Sequence, residues 1–500
     1  MIALRLRPAR HARSLLPGVL ALGNGALASL ALAPWHVLAV LPLALAVSGW
    51  LVLRASSARH AALMGWLFGL GYFAFGLSWI VEPFQIDPER HAWMAPFALL
   101  FLAAGLALFW GAAFGLAARF SVGTWRIAML VVLWSLAEIA RAYVLTGFPW
   151  AAFGQFWLDT PVADLLPWIG PQGVALATLV AFVPLALLAQ RRLLAALLPL
   201  ALVACAAFIA PPPPEPRFTE TVVRIVQPNA PQHLKWHPDY RWDFVRRAVE
   251  FSAVTPRPDL IVWPETAVPL LLNRADETLR AITERAAGVP VLLGIQREEA
   301  GAYYNSAVLL DQTGAVVGTY DKAHLVPFGE YVPFGDFMAR FGIHGFASQA
   351  GAGYAAGPGA EVMDLPIGRA VPLICYEAVF PQDVGAFDER PQMLVQITND
   401  AWFGTRSGPH QHLVQARMRA LEQGLPMIRA ANTGVSAMIG PDGALLDSLP
   451  LGKAGSIDVR LPEPFAATLY SRTGDWPVLL VCLIAAVGIG WRMRALALWS

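Results

Sequence analysis

Charge and cysteine are the two things this sequence is short of. Charged residues fill 14% of its 500 positions, where a soluble protein carries about 25%. A net charge of +1 leaves no basic surplus for nucleic acid as a general partner. The three cysteines are Cys205, Cys375 and Cys482. The first and last lie in long apolar runs, so Cys375 is the lone thiol of the polar part and no intradomain disulfide can form there. No Cys/His group has metal-ligand spacing: His410 and His412 are two apart, without a cysteine nearby. P-loop and dinucleotide-binding glycine patterns are missing, as are repeats of solenoid length. Nothing in the residues calls for a metal or another cofactor.

What is abundant is apolar sequence, at 56% of residues, and it is unevenly spread. Arg5, Arg7, Arg10 and Arg13 open the chain with no acid among residues 1–14. Apolar segments follow at roughly 15–33, 36–53, 61–81, 92–118, 127–146, 168–189 and 193–210, with an eighth at about 476–491. A bilayer-crossing helix needs about 20 such residues. The first two segments, joined by Ala33-Pro34-Trp35, have the form of a tight helical hairpin. The first segment is long for the apolar core of a signal peptide, the other reading of a basic start. Alternate loops hold Arg54 and Arg59, then Arg119 and Arg126, then Arg191 and Arg192, while the opposite loops hold only Arg90. This positive-inside pattern places both termini in the cytoplasm and everything from Ala210 to the last span outside it. Arg492 and Arg494 at the end of the eighth segment agree.

Residues 1–210 are therefore expected to form a seven-helix membrane domain, and 211–219 a proline-rich spacer beginning with Pro211 to Pro214. Residues 220–470 are expected to form one soluble domain, and 471–500 a final helix with its tail. Within 220–470 strands alternate with helices. Strands are expected at Val222–Val226, Leu260–Trp263, Val289–Ile295, Ser306–Leu310, Ala315–Tyr320, Ala370–Ile374, Met393–Thr398, Met427–Arg429 and Val435–Ile439. Helices are expected at Tyr240–Val254, Glu277–Ala287 and Pro409–Gly424. Asp311-Gln312-Thr313-Gly314 is a hairpin signal. The sum is a layered α/β domain of about 250 residues, with a core of its own. Such a chain needs no partner to fold, so a monomer is expected.

Three strand exits in that domain carry an acid, a cation and a thiol: Glu265 in Val262-Trp263-Pro264-Glu265, Lys322 in Tyr320-Asp321-Lys322, and Cys375 after Leu373-Ile374. Taken singly these are a helix cap, a loop charge and a small core residue. Together they suit acyl transfer. A free thiol near pKa 8.5 needs a base, and a partly desolvated carboxylate can supply one. The oxyanion formed on the attacked carbonyl needs a positive donor, which a lysine provides.

Trp263-Pro264-Glu265, the Lys322 loop and Cys375-Tyr376-Glu377 resemble the Glu–Lys–Cys signature of the nitrilase, or carbon–nitrogen hydrolase, superfamily. Longer strings are similar to the apolipoprotein N-acyltransferase family within it. They are Asp321-Lys322-Ala323-His324-Leu325-Val326-Pro327-Phe328-Gly329-Glu330-Tyr331-Val332-Pro333, Gln227-Pro228-Asn229 leading to Leu234-Lys235-Trp236, and Thr398-Asn399-Asp400-Ala401-Trp402-Phe403. The resemblance implies eight transmembrane helices carrying a periplasmic αββα sandwich in a bacterial inner membrane. It implies Cys375 as the nucleophile that takes an acyl chain from a phospholipid, Glu265 as base and Lys322 as oxyanion donor. It further implies Glu330 as a residue that steadies the lysine or shuttles protons, Tyr376 N–H as an aid to the oxyanion and Glu377 as holder of the local turn. Trp236 would lie at the lipid-facing mouth. The acyl acceptor it implies is the α-amine of a diacylglyceryl-cysteine at a lipoprotein's N-terminus.

Some features fit more than one reading. Met338–Ile343 and the glycines up to Gly359 are a candidate lid or a plain surface loop. Glu138 and Arg141 form a structural ion pair or meet a lipid headgroup together with Gly147-Phe148-Pro149-Trp150, whose tryptophan also suits an interfacial anchor. Glu422 and Arg417 support the catalytic carboxylate or pair at the surface. The competing functions are a membrane-tethered amidase for small amides and a non-catalytic scaffold. Intact Glu265, Lys322 and Cys375 argue against the scaffold, and the membrane helices with the Lys322–Pro333 string argue against the amidase.

Overall fold

A computed structural model describes residues 10–333, 353–385, 387 and 389–498. The lid candidate Met338–Ile343 lies outside them. All eight apolar segments are helical, but they are more broken than an eight-span reading requires. Pro88–Phe120, Pro161–Gln190 and Trp476–Leu496 are long and apolar enough to cross a membrane. A fourth crossing is added if Ala58–Gly76 and Ser78–Gln85, bent by 46° at their junction, count as one. Leu15–Ala31, Val40–Arg54 and Leu193–Ile209 are shorter apolar helices. At 1.5 Å per residue the last spans about 26 Å, less than the roughly 30 Å of a hydrocarbon core. The Trp125–Tyr143 helix carries Arg126, Glu138 and Arg141. By length and composition, three or four of the described helices qualify as spans.

Two of these helices touch backbone to backbone, which only glycine permits. A Cβ on Gly25 would sit 1.9 Å from Phe68 O, and one on Gly71 would sit 2.0 Å from Leu22 O. Such small-residue contacts are how helices associate where burial in lipid gives no hydrophobic driving force. The outer faces leave Phe101, Phe208 and Val487 exposed, as a lipid-facing surface would.

The polar part contains twelve strands among the described residues: β1 (Phe218–Gln227), β2 (Leu260–Val262), β3 (Val291–Glu299), β4 (Ala302–Leu310), β5 (Val316–Asp321), β6 (Met363–Leu365), β7 (Gly368–Ile374), β8 (Met393–Ile397), β9 (Met427–Ala430), β10 (Ser436–Ile439), β11 (Leu445–Leu449) and β12 (Gly455–Pro462). They form two six-stranded sheets, in the orders β12-β1-β2-β3-β4-β5 and β11-β10-β9-β8-β7-β6. The central pairings β1–β2, β2–β3, β7–β8 and β8–β9 are parallel, and the outer ones antiparallel. The Asp311–Gly314 turn joins β4 to β5, with Asp311 Oδ1 accepting from Thr313 N at 2.8 Å.

Alternation along the strands sorts side chains between two layers. Val223, Ile225, Val262, Ile374, Val395 and Ile397 face the gap between the sheets. The other face of the first sheet presents Val226, Ile261 and Leu293 to the Arg241–Ser252 and Asp276–Arg285 helices. The second sheet presents Val371, Leu373 and Leu394 to the Gly408–Gln423 helix. This is an αββα sandwich. The Gly408–Gln423 helix also meets the membrane helices. Gln411 Nε2 donates to Ala33 O (3.2 Å) and Gly76 O (3.0 Å), Trp150 Nε1 donates to Gln411 Oε1 (2.8 Å), and Arg417 pairs with Asp159 at 2.6 Å.

Candidate active site

The carboxyl ends of β2, β5 and β7 converge, and each releases one functional side chain within three residues. Glu265, Lys322 and Cys375 are all buried. Glu265 turns into the site because β3 makes room for its backbone: a Cβ on Gly294 would lie 2.4 Å from Thr266 N. Its Oε1 accepts from Asn305 Nδ2 (2.6 Å) and its Oε2 from Asn399 N (2.8 Å). Two donors thus fix the carboxylate's plane. Lys322 Nζ lies 3.9 Å from Glu265 Oε1 and makes a close pair with Glu330, 2.9 Å to Oε1 and 2.8 Å to Oε2. Glu330 is itself anchored by Val326 N at 2.9 Å and Asn305 Nδ2 at 3.2 Å. Burial alone would lower the lysine's pKa, but Glu330, Cys375 and Glu265 hold it well above its ordinary value. The ammonium stays charged.

Cys375 leaves β7 with φ +53°, a left-handed conformation unusual for a residue with a Cβ. That turn throws it out of the strand and into the site. Burial and the nearby Glu265 carboxylate raise its thiol pKa, against Lys322 and the Thr398 hydroxyl, which lower it. Glu377 fixes the turn. Its Oε2 accepts from Ile374 N (2.7 Å), and its Oε1 from Tyr320 Oη (2.8 Å), Ala323 N (2.7 Å) and His324 N (3.2 Å). One carboxylate therefore ties the nucleophile's turn to the lysine's loop. Tyr376 is buried edge-on to Phe380, with ring centroids 4.8 Å apart.

A thiol, a carboxylate held in plane and an ammonium kept charged by its neighbours are the parts of an acyl-transfer site. Residues 222–464 match the carbon–nitrogen hydrolase family, and residues 24–185 match the apolipoprotein N-acyltransferase N-terminal domain. The apolipoprotein N-acyltransferase of Rhodopseudomonas palustris is 37% identical over 501 residues, covering 93% of each chain. This chain belongs to the apolipoprotein N-acyltransferase family. The relative from Rhizobium etli is 37% identical over 94% of this chain and 96% of its own, and that from Brucella suis 38% identical over 86% and 85%. An amidase from Nesterenkonia sp. of known structure is 20% identical over 52% of this chain and 96% of its own, with a TM-score of 0.39. The chain is an acyltransferase whose catalytic domain has the carbon–nitrogen hydrolase fold.

Several residues of this acyltransferase site were not singled out for it from the sequence. Asn305 bridges Glu265 and Glu330. Asn399, in the Thr398–Phe403 string, holds Glu265 through its backbone, and its Oδ1 accepts from Asn432 Nδ2 at 2.6 Å. Lys235 is buried, donating to Glu265 O (2.9 Å) and Thr266 Oγ1 (2.8 Å). Burial lowers its pKa to about 8, against the opposing pull of Glu265 and Cys375. Its neighbour Trp236 is half-buried, its ring 5.9 Å from Lys235 Nζ. A cavity of about 490 Å³ opens beside the lysine loop, lined by Tyr143, Thr146, His324, Leu325, Tyr331 and Tyr354, among others.

Other expectations are corrected. Arg417 pairs with Asp159, and Glu422 with Arg419 (2.6 Å), so the two do not pair with each other. Glu265 is held by amide donors, and support by Glu422 is replaced by Asn305 and Asn399. Trp150 is no interfacial anchor: it is fully buried, bonded to Gln411 and stacked on His412. Glu138 and Arg141 are a buried structural pair, 2.8 Å apart. Arg141 also donates to Phe148 O and Trp150 O, and Trp110 Nε1 donates to Glu138 Oε1.

Proposed function

We propose that the protein transfers an acyl chain from a phospholipid to the α-amine of the N-terminal diacylglyceryl-cysteine of lipoproteins, through a thioester on Cys375. The carrying observation is the convergence of Glu265, Lys322 and Cys375 at three strand ends in a member of this family. Glu265 takes the thiol proton as sulfur attacks the ester carbonyl. The oxyanion faces the Lys322 ammonium and Tyr376 N–H. Collapse expels the lysophospholipid alkoxide, to which Glu265 returns the proton. The neutral α-amine of the lipoprotein then attacks the thioester, Glu265 removes its proton, and the Cys375 thiol is regenerated. One base serves both halves.

In this reading Glu330 keeps Lys322 charged and aimed, Glu377 holds the turn and Trp236 lines the lipid-facing mouth. The membrane helices supply both lipid substrates from the bilayer. The topology that fits the arginine distribution has eight crossings, short helices included, with residues 220–470 periplasmic, both termini cytoplasmic and the inner membrane of the cell as the site. The protein would act as a monomer. The carbon–nitrogen hydrolase fold is the catalytic domain of the acyltransferase, so a tethered amidase is no separate alternative.

The deciding experiment is the intact mass of the purified protein after incubation with phospholipid alone, beside Cys375→Ala. A gain of one acyl chain, removed by hydroxylamine and absent from the variant, is expected. A folded wild-type protein that acquires no adduct would overturn the reading.

A further inference from the structure

Beneath the nucleophile lies a buried polar cluster that the mechanism above does not use. Asp400, His412, Arg429 and Gln396 are each completely enclosed. His412 Nδ1 stands 2.8 Å from Asp400 Oδ1, which also accepts from Thr398 Oγ1 at 3.0 Å. Arg429 pairs with Asp400 Oδ2 at 2.6 Å and donates to Gln396 Oε1. Burial would raise the Asp400 pKa, but Arg429 and His412 bring it below its ordinary value, so it stays an acceptor. The cluster ends on a single backbone atom. His412 Nε2 and Gln396 Nε2 both lie 3.1 Å from Cys375 O, and 3.1 Å from each other.

That oxygen belongs to the planar trans peptide unit whose other end is Tyr376 N–H. In such a unit C=O and N–H point in opposite directions. Whatever anchors Cys375 O on the sheet side therefore aims Tyr376 N–H to the other side. Arg429 fixes the orientation of the Gln396 amide by occupying its oxygen, which leaves its Nε2 to donate to Cys375 O. His412 acts in either protonation state: as the cation it donates Nε2–H to Cys375 O, and as the neutral ring it accepts the second hydrogen of Gln396 Nε2. Trp150 covers the ring from the membrane side, stacked at 5.6 Å and 25°.

We propose that His412, held by Asp400, is a positioning residue that acts with Gln396 through the Cys375 carbonyl to aim Tyr376 N–H at the oxyanion. The proposal rests on Cys375 being the acylated nucleophile. It takes a cluster without substrate contact and gives it one task, shared by both half-reactions because each passes through an oxyanion. The thiol's own reactivity lies outside that task.

The test compares two reactions of Cys375 in the full-length protein. Thioester formation from phospholipid develops an oxyanion, while alkylation by iodoacetamide, a displacement at a saturated carbon, does not. In His412→Phe the acylation rate is expected to fall about a hundredfold, the typical loss of one oxyanion donor. Transfer to a lipopeptide amine should fall equally, with KM for phospholipid and alkylation within about threefold of wild type. His412→Gln, which restores a donor, is expected to recover at least a tenth of the acylation rate. Should His412→Phe not fold, Gln396→Met removes the other anchor and is expected to show the same split. Acylation at the wild-type rate in the variants, or acylation and alkylation falling together, overturns the proposal. A wild-type protein that alkylates but never acylates overturns the Cys375 reading instead.

Discussion

Lys322 Nζ is shared unequally between two carboxylates, 2.8 Å from Glu330 Oε2 and 3.9 Å from Glu265 Oε1. The close partner is the lysine's counter-ion, and the distant one lies beyond hydrogen-bond reach of it. In the proposed mechanism this asymmetry would let one buried cation serve the oxyanion without capturing the proton acceptor beside it.

Glu330→Gln leaves the Lys322 ammonium buried without its close counter-ion. Removing one partner of a buried pair costs about 3–5 kcal/mol, so a clear fall in the thermal midpoint is expected. The lysine should then turn toward Glu265, and thioester formation should drop by about a hundredfold or more. Intact-mass time courses measure the second effect. A variant that acylates at the wild-type rate would remove Glu330 from the site.

The thiol of Cys375 sits above its ordinary pKa through burial and the Glu265 charge. Its reaction with iodoacetamide is therefore expected to climb about tenfold per pH unit from 7 to 9, without a plateau. A plateau below pH 8.5 would show a thiolate already stabilised in the resting site.

Lys235 gives a pH dependence of the opposite character. Its folded pKa of about 8 lies below the roughly 10.4 of an exposed lysine. Between these values the unfolded chain binds a proton that the folded one lacks, so this group makes stability rise with pH from about 8 to 10. The rate should do the reverse, since the cation behind Glu265 and Cys375 is lost above pH 8. Pre-steady-state acylation between pH 6 and 9.5 should show a descending limb near 8. In Lys235→Met that limb should be absent and the rate low throughout. A limb that persists in the variant would assign it to another group.

Arg141→Met is expected to lower stability by about 3–5 kcal/mol, because it strands Glu138 and frees Phe148 O and Trp150 O. Since Trp150 packs on His412, acylation should fall as well. The double variant Arg141→Met with Glu138→Met, which leaves no buried charge, should regain much of the lost stability. Differential scanning calorimetry in detergent decides this.

The fold was legible where burial leaves a signature. β7 and β8 end in or consist of apolar runs, β3 begins with one at Val291–Ile295, and the Gly408–Gln423 helix lies within a residue of its expected bounds. β6 is three residues long, and β11 and β12 alternate with exposed positions at a sheet edge, so neither gave an apolar run to find. The breaks in the membrane helices gave no sign, because composition does not show where a helix tightens or bends, as at Gly170, with φ +63°, or in the Ser78–Gln85 turn. The triad stood out because acid, cation and thiol each follow a strand. Lys235, Asn305 and His412 gave no such sign. A buried lysine, amide or imidazole is spelled like an exposed one, and only the partners brought by distant strands make it structural.

The pairing of β1 with β12 has a consequence for biogenesis. β1 follows the short apolar Leu193–Ile209 helix, and β12 precedes the long apolar Trp476–Leu496 helix, with Phe218 opposite Pro462. The sandwich thus hangs from neighbouring strands whose partners are more than 200 positions apart in synthesis. Its first sheet cannot finish until β12, ending at Pro462, has been translated, and contacts of such long range form slowly. Until then the half-built sheet offers β1 as a bare edge, the kind of surface that recruits chaperones. A ribosome stalled before residue 455 should leave a protease-sensitive intermediate, and one stalled after the last helix has emerged should not.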